Sequence, residues 1–110
     1  MNHGLTATTV DRILSVLAHY PEVEKAVLYG SRAKGTYRPG SDIDLTLCGV
    51  ELNHTLLTRI DNELDDLLLP YQIDLSLMSS LSHPALLDHI CRVGVALYEK
   101  SAAPLEALTA

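Results

Sequence analysis

Apolar and polar residues alternate along two short stretches of the chain, Asp42–Cys48 and Gln72–Met78. Because successive side chains of a strand point to opposite faces, this alternation predicts two strands. An apolar run within Glu24–Tyr29 ends at Gly30 and predicts a strand before them. The sequence VALYE, residues 95–99, predicts a short fourth strand.

Apolar residues three or four positions apart predict helices between these strands. The first helix is predicted from Thr8, as its N-cap, to about His19, and the second from the N-cap Asn53 to Leu68. A third is predicted from the cap Ser82, with Pro84 in its first turn, to a stop at Gly94. The residues Ser31–Lys34 form at most a short helix.

This order of elements predicts an α/β (α+β) fold in a single domain, with a mixed β-sheet of about four strands covered by helices. The predicted domain spans residues 1–100, and residues 101–110 are predicted to be a flexible tail. The formal net charge of −6 argues against an extended nucleic-acid-binding surface, which needs a basic face. With no leader pattern and no apolar run of roughly 20 residues, we expect a cytoplasmic protein without membrane contact.

Three aspartates stand out in the predicted strands. Asp42 and Asp44 are two residues apart and share a strand face, and Asp74 has the matching place in the later strand. If the two strands are neighbours, three carboxylates converge and repel one another. A divalent cation would relieve that repulsion, and oxygen ligands of this kind suit Mg²⁺ or Mn²⁺.

A glycine and a cluster of basic residues precede the aspartates. Gly30 lets the backbone approach a ligand closely, Ser31 adds a hydroxyl, and Arg32 and Lys34 supply positive charge. Phosphates beside a carboxylate–metal cluster would describe a nucleoside triphosphate site. A P-loop is excluded because Thr36 stands where lysine is required. The five histidines show no metal-ligand spacing, which indicates surface or capping roles.

The sequence Gly30-Ser31, ten intervening residues and Asp42-x-Asp44 resembles the GS-x10-D-x-D motif of the DNA polymerase β-type nucleotidyltransferase superfamily. The small size of the chain resembles that of the minimal nucleotidyltransferases, the MNT or MntA-like group. The likeness extends to the later strand "QIDLSL" and the ending "GVALYE".

The resemblance implies a role for each matching residue. Gly30 and Ser31 would hold the triphosphate of ATP, and Asp42 and Asp44 would bind two Mg²⁺ ions, with Mn²⁺ as a possible substitute. Asp74 matches the third carboxylate of the catalytic and metal-binding set, which lies near the attacking hydroxyl. The implied reaction is attack on the α-phosphate with loss of pyrophosphate.

The resemblance also implies a partner. Members of the MNT group act as antitoxins of helical HEPN-domain toxins and transfer AMP to a tyrosine of the toxin. Two alternatives stay open at this point. The chain could neutralise its partner by binding alone, or it could transfer a nucleotide to a small molecule.

Overall fold

The structure, a computed structural model, describes residues 4–38 and 40–100. Its elements, in chain order, are α1 (Ala7–Leu17), β1 (Lys25–Tyr29), α2 (Gly30–Lys34), β2 (Ile43–Cys48), α3 (His54–Asp65), β3 (Ile73–Leu77), a 3₁₀ turn (Met78–Ser80), α4 (Pro84–Val93) and β4 (Val95–Glu99). The predicted α/β fold is confirmed. The predicted tail, residues 101–110, lies outside the described residues. Among the described helices, none is long and apolar enough to cross a membrane.

The four strands form one mixed sheet in the order β3-β2-β1-β4. The central pair, β1 and β2, is antiparallel, and β4 also runs antiparallel to β1. The pair β2 and β3 is parallel, which α3 makes possible by crossing from the end of one strand to the start of the next. Parallel pairing brings the starts of these two strands, and their aspartates, to the same end of the sheet.

One face of the sheet is packed with aliphatic side chains under α1 and α3. Ile43, Leu45 and Leu47 of β2 point to this face and are 0–1% exposed. They belong to a buried cluster with Ile13, Val16 and Leu17 of α1 and with Ile60 and Leu64 of α3. The alternation in β2 therefore directs its aliphatic residues to this face, as the sequence predicts, although Thr46 on the opposite face is buried too.

The opposite face of the sheet is covered by α2 and α4. A smaller cluster packs there: Val27 and Tyr29 of β1 contact Ile90 of α4, with Cys48 and Leu86 at its margin. Tyr29 is paired with Asp44, and Val27 with Thr46, so these four side chains share one face. The predicted site residues therefore lie on the less apolar of the two faces.

The ends of several elements differ from their predicted positions. The N-cap of α1 is Thr6, whose hydroxyl accepts a hydrogen bond from the Thr9 amide, and not Thr8. The N-cap of α4 is His83, not Ser82. Asn53 caps α3 as predicted, but that helix ends at Asp65, short of the apolar run of leucines that follows it. The observed ends thus lie one to three residues from the predicted ones.

Candidate active site

Two of the three predicted carboxylates are direct neighbours across the parallel strands. Asp44 of β2 is in register with Asp74 of β3, and adjacent strands lie about 4.8 Å apart. Asp44 is half-buried and Asp74 is exposed. Asp42 directly precedes β2 and is exposed. The fold thus brings the predicted aspartates to one end of the sheet.

The surroundings of Asp44 disfavour its charged form. Burial raises the pKa of the Asp44 carboxyl, and the negative charges of Asp74 and Asp42 raise it further. His89 acts in the opposite direction on this pKa. A carboxylate that is crowded by two others is an attractive place for a cation, since the cation offsets the repulsion that the protein leaves in place.

Gly30 forms the wall of the site beside Asp44. Its φ angle is +76°, in the left-handed region that favours glycine. A Cβ atom at this position would collide with Oδ2 of Asp44. The position therefore requires glycine for two reasons, its backbone conformation and the close approach of the carboxylate.

His89 holds the backbone of the same glycine. The Gly30 amide donates a hydrogen bond to Nε2 of His89, at 3.1 Å. The imidazole also lies edge-on to the Tyr29 ring, with 6.3 Å between the ring centroids. Since Nε2 accepts this hydrogen bond with its lone pair, the ring hydrogen of neutral His89 is on Nδ1. His89 on α4 thereby ties the start of α2 to the helix that covers this face.

The three polar residues after Gly30 have different environments. Ser31 is half-buried and Lys34 is exposed, both on the short helix α2. Arg32 lies between them in sequence but is only 2% exposed. Its Nε and Nη2 atoms donate hydrogen bonds to the Ser41 carbonyl at 3.1 and 3.0 Å. The prediction that Arg32 contacts the nucleotide stays a prediction, and its described contacts are to protein groups.

The residues at this end of the sheet match the ligand chemistry of Mg²⁺. The described residues contain no ready-made group of three or more His, Cys, Asp or Glu side chains placed to hold a metal. Mg²⁺ commonly takes one or two protein carboxylates and completes its shell with waters and phosphates. Asp44, whose pKa is raised by burial and by two neighbouring carboxylates, and the adjoining Asp42 fit that demand.

Two residues at the site, His89 and Tyr29, could not be recognised from the sequence. The sequence predicts a surface or capping role for His89, because its contact with Gly30 depends on how α4 packs over β1. Tyr29 was treated only as the end of a strand, yet it is Asp44's partner across the antiparallel pair. Burial raises the pKa of the Tyr29 hydroxyl, Ser76 lowers it, and Asp44 and Asp74 raise it further. The antiparallel pairing with Asp44, which the sequence does not reveal, is what puts Tyr29 on this face.

Solved structures similar to this one include several toxin–antitoxin complexes. A crystal structure of a toxin–antitoxin with AMP-PNP has a TM-score of 0.68 and 23% identity, covering 91% of this chain and 82% of that chain. A toxin–antitoxin MntA–HepT structure has a TM-score of 0.64 and 20% identity, covering 86% and 74%. A tri-AMPylated Shewanella oneidensis HEPN toxin in complex with MNT antitoxin has a TM-score of 0.63 and 20% identity, covering 84% and 71%. At these identities the likeness shows a shared fold.

The sequence itself settles the family. No curated protein matches it significantly. The family model described as "Polymerase beta, Nucleotidyltransferase" matches residues 11–103, which is most of the chain and includes the Gly-Ser turn and all three aspartates. The chain is therefore a nucleotidyltransferase that belongs to the polymerase beta nucleotidyltransferase family.

Proposed function

We propose that this protein is the antitoxin of a HEPN/MNT toxin–antitoxin pair and transfers AMP from ATP to a tyrosine hydroxyl of its partner toxin, with Mg²⁺ as cofactor. The observation that carries the proposal is the pairing of Asp44 with Asp74 beside the left-handed Gly30. This juxtaposition places carboxylates next to a backbone turn that a triphosphate could approach. A fold without nucleotide chemistry has no need to crowd these charges.

Each site residue has a role in this proposal. Asp42 and Asp44 would hold Mg²⁺, while Gly30, Ser31 and the exposed Lys34 would contact the triphosphate. The bound ions would stabilise negative charge on the attacking and leaving oxygens. Asp74 is exposed at the edge of the cluster, where an acceptor hydroxyl can reach it. It would accept the proton of that hydroxyl.

The proposed step balances as a displacement at phosphorus. The phenolate oxygen of the acceptor tyrosine forms a bond to the α-phosphorus, and the bond from that phosphorus to the bridging oxygen breaks. Pyrophosphate leaves with the electron pair, and the phenolic proton goes to Asp74. The products are AMP-tyrosine and pyrophosphate.

A protein acceptor is favoured by what the similar structures contain. Those structures hold an MNT-type antitoxin with a HEPN or HepT toxin, and one of the toxins is tri-AMPylated. Another contains AMP-PNP, an ATP analogue. Their folds align with more than four-fifths of this chain, so the same arrangement of donor and partner is the simplest proposal for it.

The test is transfer of label from ATP carrying ³²P at the α-phosphate. The protein is incubated with Mg²⁺ and with the helical partner that copurifies with it from its native host. We expect label on the partner, and loss of that label with Asp42→Asn/Asp44→Asn. A matched control is Asp61→Asn/Asp65→Asn on exposed positions of α3, which removes the same charge away from the site and should leave labelling intact.

The same experiment separates the alternatives. If the Asp42→Asn/Asp44→Asn variant still neutralises the partner fully, the protein acts by binding and the proposed mechanism is wrong. Label that appears in a small-molecule fraction but never on protein would instead identify a small-molecule acceptor. Label that survives in the double variant would show that these aspartates do not carry the reaction.

A further inference from the structure

We propose that Arg32 is a positioning residue that fixes the approach to Asp42 and Asp44, and that it is not a phosphate ligand; its effect on rate rests on the proposed nucleotidyl transfer. Arg32 is among the largest fully buried side chains in the described residues. A buried charge is costly unless hydrogen bonds and other polar partners compensate it. Its Nε and Nη2 atoms both donate to the Ser41 carbonyl, which directly precedes Asp42.

Two tyrosine rings lie over the same guanidinium. The Arg32 Cζ atom is 5.1 Å from the centroid of the Tyr37 ring and 4.7 Å from that of the Tyr71 ring. Both distances are within the range of attraction between a cation and an aromatic face. We call Arg32, the Ser41 carbonyl and the two rings the guanidinium clamp.

The guanidinium clamp joins the three segments that supply the site. Arg32 belongs to α2, which begins at Gly30, and Ser41 leads into Asp42. Tyr71 lies three residues before Asp74. Between the last two segments, the Ile43 amide donates to the Gln72 carbonyl at 2.9 Å. The clamp and this hydrogen bond together close a ring of contacts that includes the backbone of Asp42.

The two basic residues of α2 have different roles in this proposal, although the sequence predicts that both contact the nucleotide. Residues two apart in a helix are related by a rotation of about 200° about the helix axis, so they lie on nearly opposite sides. Arg32 and Lys34 therefore have different surroundings. Lys34 is exposed, whereas Arg32 is buried with its fork directed at Ser41. Lys34 therefore remains the candidate for phosphate contact, and Arg32 determines where the carboxylates stand.

The first test needs no nucleotide. Amide hydrogen exchange of the protein alone is compared between the wild type and Arg32→Lys, which keeps the charge but loses the planar fork. We expect the Ile43 amide to exchange at least about tenfold faster in the variant, because its segment is no longer held. The Leu28 amide in the central strand should change by less than about threefold, which shows that the fold is intact.

The second test separates positioning from phosphate binding by kinetics. With labelled ATP and the partner, Arg32→Lys should lower kcat at least about tenfold, raise the Mg²⁺ concentration needed for half-maximal rate, and leave the KM for ATP within about threefold. Lys34→Met is the comparison, and it should raise that KM by about tenfold through loss of a charged contact. Tyr71→Leu, which keeps Arg32 itself, should repeat the exchange and kcat effects of Arg32→Lys in weaker form.

The two tests distinguish failure of the proposed function from failure of the inference about Arg32. If the wild type transfers no nucleotide, the proposed function fails, and the exchange of Ile43 still decides the clamp. Unchanged Ile43 exchange in both Arg32→Lys and Tyr71→Leu would overturn the inference. So would full activity of Arg32→Lys, or a raised KM for ATP with unchanged kcat, since either result assigns Arg32 to charge recognition. Should Arg32→Lys fail to fold, Tyr71→Leu supplies the same measurements.

Discussion

The two faces of the sheet differ in chemistry: one is packed with aliphatic side chains, and the other carries polar and acidic residues of the site. Under α1 and α3, β2 presents Ile43, Leu45 and Leu47, and aliphatic packing fills the space between the layers. Under α2 and α4, the same strand presents Asp44 and Thr46 beside Tyr29. One face is optimised for burial, while the other keeps a carboxylate in a place that disfavours its charge. The first face therefore stabilises the fold, and the crowded carboxylates of the second face destabilise it.

The largest effect should follow from Asp44→Asn. We expect the rate of transfer to fall about a thousandfold or more, because the proposed metal ligand, worth several kcal/mol of charge stabilisation, is lost. The free energy of unfolding without Mg²⁺ should not fall, and we expect it to rise slightly. Initial rates with labelled ATP and urea denaturation check the two halves. A variant that unfolds more easily than the wild type would contradict the contrast between the faces.

The opposite result is expected for Leu45→Ala on the aliphatic face. Leu45 is 0% exposed, so truncation should lower the free energy of unfolding by about 2–5 kcal/mol. Urea denaturation measures the loss. The activity per folded molecule should change little, since no site residue is altered. An activity loss much larger than the unfolded fraction explains would mean that the aliphatic face also tunes the site.

Alanine substitutions at two glycines, Gly30 and Gly35, distinguish the effect of backbone strain from the effect of a side chain placed in the site. Gly30→Ala and Gly35→Ala both place alanine at a positive φ, +76° and +82°, and each should destabilise the fold by about 1–3 kcal/mol. A Cβ at position 35 has open space around it, whereas one at position 30 meets the Asp44 carboxylate. Only Gly30→Ala should therefore abolish most of the transfer activity. Equal activity losses in the two variants would show that strain alone matters.

A smaller gain in stability is expected at the end of α3. Leu68 has a φ of 54°, the one positive φ among non-glycine residues of the described chain, and its side chain is 87% exposed. Leu68→Gly should raise the free energy of unfolding by about 1 kcal/mol, because glycine adopts this conformation without the penalty of a Cβ. Leu67→Gly, at a half-buried neighbour, should instead destabilise the protein. Thermal unfolding compares the two, and destabilisation by Leu68→Gly would refute the expectation.

The smallest effect is a difference in pH dependence. The pKa of Asp44 is raised in the folded state, so between its ordinary value and that raised value the native state binds more protons than the unfolded state. The contribution of Asp44 to stability therefore falls as pH rises through this window. The stability advantage of Asp44→Asn should be small below about pH 4 and grow toward neutrality. Melting temperatures across this range test the sign, and an advantage that shrinks with rising pH would reverse it.

The parts of the fold that depend on local pattern could be predicted from the sequence. The alternation in β2 follows from packing of Ile43, Leu45 and Leu47 on one face, and Asn53 caps α3 through its own side chain. The predicted capping residues were wrong by one or two positions, with Thr8 in place of Thr6 and Ser82 in place of His83. Those choices depend on where packing begins the helix, because either side chain is able to accept the hydrogen bond from the backbone.

The parts of the site that depend on long-range contact could not be predicted. The placement of Asp74 required the order of the strands, which alternation does not contain. His89 contacts Gly30 from 59 positions away in the sequence. Burial of Arg32 depends on Tyr71, which is distant in sequence and carries no signal of its own. Charge in a sequence indicates where a cation is, but tertiary packing decides whether that cation faces a ligand.

The parallel register of β2 and β3 has a consequence for the fidelity of folding. Ile43 pairs with Ile73 and Asp44 with Asp74, so a slip of one residue would turn the Asp74 carboxylate toward the aliphatic layer under α3. That misaligned conformer would bury an unpaired charge and expose leucines at the same time. Chains that closed the sheet in the wrong register would thus be destabilised by Asp74, the residue proposed here to accept the proton of the acceptor hydroxyl. Asp74 would then also favour the correct strand register during folding of the domain.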